Sequence, residues 1–150
     1  MKNVFNWDDT QELIQRIESL HAGSIALWGK MKVDQMAAHC CVPYEYIFQE
    51  RNDAPPLLMR WMLRLFFKKA MVNEVPYQPN TPTAPMFVKA DEYSLTEQKI
   101  RLIQYIKRVC DLGSAHFEGK KQISLGTLTA NEWNGLLYKH LDHHLRQFGV

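Results

Sequence analysis

The stretch TANEWNGLLYKHLDHHLRQF, residues 129–148, reads as one amphipathic helix with its own start signal. Thr129 stands three residues ahead of Glu132, the spacing at which the two side chains cap the first turn reciprocally. Take about 100° per residue and His140 as the origin. Trp133, Leu136, Leu137, Leu141 and Phe148 then spread between about −40° and +100°. His144 falls at about +40°, the middle of that apolar stripe, and His140 lies inside it. His143 falls near −60°, at the stripe's edge. The pair facing the core is therefore His140 and His144, one turn apart. Two imidazoles so placed can share one metal ion. They can equally be satisfied by water or neighbouring side chains, as buried histidines must be.

The rest of the chain is also mostly helical in its signals. DTQELIQRIESL (residues 9–20) opens with Asp9 three residues before Glu12 and carries Leu13, Ile14, Ile17 and Leu20 at helical spacing, with Gly23 as a stop. A second helix is expected from about Val33 to Gln49. Pro43 inside it removes a donor, so a kink or loosening is expected there. PPLLMRWMLRLFFKKAMV (residues 55–72) is a very apolar extra helix with Arg60, Arg64 and Lys68 in one row. It fits a core helix with a solvated basic stripe, or a surface that touches a membrane or a partner. VPYQPNTPTAPMF (residues 75–87) holds four prolines and reads as a long extended connection. Ser94 with Glu97 opens a further helix to about Cys110, with Leu95, Ile100, Leu102, Ile103 and Ile106 on its apolar side. Residues 111–126 read as a loop, and KQISLGTL (121–128) could pair briefly as a strand. The class is all-α: a four-helix bundle with an extra apolar helix and a long Pro-rich connection. The first, second, fourth and last long helices form the bundle.

With 150 residues the chain suits one domain, 1–150. A net charge of +2 gives no electrostatic case for nucleic acid. The opening MKNVFNWDDTQELI has no apolar signal region, and no run approaches the roughly 18 apolar residues of a spanning helix. Cys40, Cys41 and Cys110 do not make a disulfide framework. A reducing compartment, the cytoplasm, is expected.

A third imidazole would strengthen the metal reading. His21 and His116 sit near element ends and are expected at the surface. His39 lies on the flank of its helix's stripe of Val33, Met36, Cys40 and Ile47, beside Gln35, Val42 and Tyr46. From there it could reach a cleft between helices. Cys40 and Cys41 lack a zinc-ligand spacing, and Cys40 reads as a small buried hydrophobe. Asp142 points away from His144 and reads as solvated.

These residues resemble the DinB/YfiT superfamily, which carries a His in its second helix and HxxxHRxQ-like text in its last. Here H140-L-D-H-H144-L-R-Q147 matches both His and the Gln, with the Arg shifted by one place. WGKMKVDQMAAHC (residues 28–40) is similar to the approach to the first His. PNTPTAPMF, GTLTANEW and LYKHLDHHLRQFGV resemble one branch, known as a domain of unknown function, and together the strings span nearly the whole chain. The resemblance implies a DinB-like up-down four-helix bundle, often dimeric, with a divalent metal held by His39, His140 and His144. Pro43, four residues past His39, departs from a regular ligand helix. Better-known relatives are thiol-dependent transferases and isomerases.

The functional expectation is a metal-dependent protein with zinc or nickel at three imidazoles. Its open positions would bind a small thiol or water and lower its pKa. No carboxylate is placed as a general base; Glu45 lies off the face of His39. The alternatives are a non-catalytic metal- or ligand-binding protein related to stress, and a helical interaction module without an ion. A homodimer is expected mainly from the resemblance, with residues 56–67 as a candidate surface.

Overall fold

The computed structural model describes residues 1–51, 53–81 and 91–150. The chain runs through α1 (Trp7–Ser19), α2 (Val33–Ile47), α3 (Leu57–Met62), a π-helical turn (Leu63–Phe67) and α4 (Lys68–Val72). Then come α5 (Leu95–Phe117), a two-stranded hairpin of β1 (Lys121–Gln122) and β2 (Gly126–Thr127), and α6 (Ala130–Gln147). The structure is thus mostly helical. Of the Pro-rich connection, residues 82–90 lie outside the described residues.

α1 and α2 each pack against both α5 and α6. The shared core holds Leu13, Ile14 and Ile17 of α1, Met36, Cys40 and Tyr44 of α2, Leu102, Ile106 and Val109 of α5, and Leu137, Leu141 and Leu145 of α6, all buried. These are the positions at which each helix repeats its apolar residues every three or four places. α2 is enclosed almost all round, from Val33 to Ile47. It continues through Pro43 as a helix.

The helix starts follow their caps. Thr129 and Glu132 cap α6 reciprocally, at 3.2 and 2.9 Å. Ser94 accepts the Glu97 N–H at 3.4 Å and starts α5. α1 begins earlier than the Asp9–Glu12 pair suggests. Asn6 accepts the Asp9 N–H at 3.1 Å, while the Asp9 carboxylate takes the Asn3 N–H at 2.8 Å. Asp8 and Asp9 then fall in the first turn, where negative charge suits the helix dipole.

Residues 111–117, read from sequence as loop, are helical apart from a break at Gly113, whose φ of 71° only glycine adopts freely. The turn beyond the break is held by Phe117, fully buried against Phe5 and Trp133 with ring centroids 5.2 and 5.6 Å apart. An apolar anchor in a polar, glycine-containing run gives too weak a periodicity to read.

The apolar helix is not a core helix. Its basic row turns toward the hairpin and the start of α6: Arg64 Nε donates to the Ser124 carbonyl at 3.3 Å, and Lys68 pairs with Glu132 at 3.1 Å. Its apolar residues face outward, with Leu57 78%, Leu58 69%, Trp61 57%, Leu65 58% and Phe66 68% exposed. α4 returns to the body of the protein against α6. There Gly135 meets the backbone at Val72, leaving no room for a side chain. Lys139, almost wholly buried, donates to the carbonyls of Ala70 and Asn73 at 2.7 and 2.8 Å. A cation on these carbonyls complements the end of the helix.

Candidate metal centre

α2 and α6 face each other across the core, and three histidines meet between them. The rings of His39, His140 and His144 are pairwise 4.8 Å apart, centroid to centroid, inclined at 61°, 78° and 84°. One ring nitrogen from each lies within 4.8 Å of the other two. The Nε2 atoms of His39 and His140 are 2.9 Å apart. Nitrogens on one small divalent ion, at bonds of roughly 2.0–2.1 Å, lie about 3 Å from one another. The donor set and its spacing therefore fit a first-row divalent ion.

His39 and His144 are buried, and His140 is half-buried. Burial, then the neighbouring His144, His39 and His143, pushes the His140 pKa well down. Burial, then His39, lowers that of His144 to about 3. Both rings are thus held neutral at ordinary pH, the form that binds metal.

The tautomer of His144 follows from its partners. The Trp28 carbonyl can only accept, so the Gln147 nitrogen that meets it at 2.7 Å must donate. The other amide atom of Gln147, its oxygen, therefore faces His144 Nδ1 at 2.9 Å and accepts its proton. The Nε2 lone pair of His144 is left for the cluster. Support of this kind orients metal ligands and raises their basicity. Gly29, with φ of 79°, makes the contact possible, because a Cβ there would come 2.6 Å from Gln147 Nε2. Gln147, the Gln matched by the resemblance, stands three residues past His144 on the same face, within reach of its ring. Gly29 and the Trp28 carbonyl carry no such local signal.

The remaining candidates fall elsewhere. His143 lies between Trp28 and Tyr77, ring centroids 5.8 and 5.7 Å away, with burial lowering its pKa. His21 and His116 are exposed. Cys40 and Cys41 are buried and form no disulfide, and burial raises the Cys40 thiol well above its usual range. Asp142 is paired with Arg16 at 2.8 Å rather than solvated. Glu45 pairs with Arg101 at 2.9 Å, across the α2–α5 contact.

Three imidazoles converging from two facing helices place this chain among helical proteins able to hold a metal ion. It belongs to the family described as Protein of unknown function (DUF1569), whose model matches residues 1–149. No curated protein and no solved structure matches it. Among the described residues, no helix is long and apolar enough to cross a membrane.

Proposed function

We propose that the protein is a DinB-like metalloprotein in which His39, His140 and His144 hold one divalent ion, zinc or nickel. The observation that carries the reading is the equal 4.8 Å spacing of the three rings. His144 is further supported by its Gln147 bond, which turns its Nε2 to the cluster. Three protein ligands leave positions open on such an ion, which lowers the pKa of a coordinated small thiol or water. Glu45 is committed to Arg101, and no carboxylate joins the three-His group among the described residues. This favours thiol activation, which needs no protein base, over hydrolysis.

The wider reading is one domain, 1–150, folded as a DinB-like up-down four-helix bundle with an appended apolar arm. The mutual packing of α1, α2, α5 and α6 supports it. Three cysteines without a disulfide among the described residues support a reducing compartment, the cytoplasm. The exposed apolar face of α3 and the π-turn supports a homodimer. It also keeps open a second reading, a helical interaction module or non-catalytic metal-binding protein.

Metal titration of purified protein tests the site. One zinc or nickel per chain is expected, with affinity lost strongly in His144→Ala and kept in His143→Ala. Equal loss in both variants, or full binding by His144→Ala, overturns the site. A panel of physiological thiols then tests the enzyme. No metal-dependent transfer to an electrophile above background favours the non-catalytic reading.

A further inference from the structure

A cavity of about 100 Å³ lies between the C-terminal half of α2, the hairpin and the N-terminal half of α6. Pro43 and Ile47 form one apolar wall, and Trp133 and Leu136 the other. Its place relative to the histidines follows from the helices. Pro43 is one turn beyond His39 on the same face of α2, and Leu136 is one turn before His140 on the same face of α6. Moving away from the cluster thus leads up one helix and down the other into the same space. His140, the least buried of the three, is the histidine on that side.

The hairpin side of the cavity carries two lysines. Lys120 and Lys121, at the start of the hairpin, line it, and no acidic side chain does among the described residues. Lys120 Nζ has a His116 ring nitrogen as its partner at 2.8 Å, rather than a carboxylate. The Trp133 indole donates to the Lys120 carbonyl at 3.3 Å and holds the hairpin against the cavity wall. The cavity thus has apolar walls from the two helices, Tyr46, Gln49 and Gln122 as further polar lining, two lysines on its hairpin side and the imidazoles beyond its other end. His39 and Ile47 are eight residues apart, about 12 Å along the helix axis, which sets the reach of a ligand spanning the cavity.

We propose that this cavity binds a small organic anion with an apolar body. Its carboxylate or other anionic group sits at Lys120 and Lys121, and its opposite end points to the three-histidine cluster. As a statement of substrate class this rests on the metal reading above; as a binding site it does not. It gives the proposed metal centre a substrate whose reactive group lies at the end remote from its charge. Pro43 acquires a role as cavity wall: its ring replaces a backbone N–H that would otherwise point toward the preceding turn.

The test uses hexanoate and its uncharged counterpart hexanamide, added to the full chain with and without zinc. Calorimetry and the methyl resonances of Ile47 and Leu136 report binding. Saturable binding of hexanoate is expected in both metal states, at least about tenfold tighter than hexanamide. The double variant Lys120→Ala/Lys121→Ala, changed only at the rim, should lose that preference and keep weak binding of both. Leu136→Trp, which fills the cavity, should lose both ligands. Absence of saturable hexanoate binding to wild type at 10 mM or below (on the order of the weakest specific affinities) overturns the proposal. So does equal affinity for hexanoate and hexanamide, or unchanged preference in the double lysine variant. The zinc titration of the same samples separates the two readings. Zinc binding without hexanoate binding removes the cavity assignment alone, and hexanoate binding without zinc binding removes the metal centre alone.

Discussion

Gln147 holds His144 and the Trp28 carbonyl at once, its oxygen 2.9 Å from one and its nitrogen 2.7 Å from the other. The amide therefore ties His144 on α6 to the segment that leads into α2. Gln147→Ala should weaken zinc affinity by about 10–100-fold with little change in helix content. Gln147→Glu, which still accepts from Nδ1 but cannot donate to the Trp28 carbonyl, should restore only part of it. Gly29→Ala should mimic Gln147→Ala, though Gly29 touches no histidine, and should cost little more when Gln147 is already Ala. Additive losses in the double variant would show that Gly29 acts by another route.

The buried histidines make metal-free protein sensitive to acid. His144 is lowered to about 3, and His140 well below its usual range, chiefly by burial. In the unfolded chain both return to about 6.5. Above that pH both are neutral in either state and contribute no pH dependence. Below it, the unfolded chain takes up protons that the folded one refuses. Stability should then fall by up to about 1.4 kcal/mol per pH unit for each histidine, continuing toward pH 3 for His144. Urea unfolding of metal-free wild type and His144→Leu between pH 7.5 and 5 measures this. The variant should lose less stability over the interval; parallel curves would refute the assignment.

Gly135 is the contact point of α6 with α4. An added Cβ would fall inside contact distance of the Val72 carbonyl, which is backbone and cannot swing away. Gly135→Ala should destabilise by about 2–3 kcal/mol despite the better helix propensity of alanine. A denaturation midpoint at or above wild type would mean that α4 moves without cost.

Leu58 and Leu65 are 69% and 58% exposed on the outward face of the apolar arm. If that face joins two copies, Leu58→Lys/Leu65→Lys should sediment as a monomer at micromolar concentrations where wild type is a dimer. Its far-ultraviolet spectrum should not change, because neither side chain belongs to the core. A wild-type monomer at those concentrations would remove the homodimer.

Local signals made much of this legible. The Thr129–Glu132 box and the stripe on residues 133–148 place α6 within a residue of where it lies, and put His144 in the core. His39 was harder to place. The stripe method assumes one buried face, whereas α2 is enclosed by α5 and α6 together, so its flank is buried as well. The apolar arm misled for a related reason. Apolar residues at helical spacing normally face inward, but here Arg64 finds a carbonyl on the hairpin and Lys68 a carboxylate at the start of α6, and both take the inner side. Periodicity shows that a helix has two faces, and only tertiary partners settle which face is inside.

The His39–His140 contact joins residues 101 positions apart. An ion held there works as a clasp across most of the chain. Closing a loop of about that length removes several kcal/mol of freedom from the unfolded ensemble in the chain-entropy model of a cross-link. A nascent chain made only through α5 carries one of the three histidines, so such a clasp could fasten only after α6 has docked. Metal supply would then govern how long finished molecules stay folded, and not the pairing of α1 and α2 with α5.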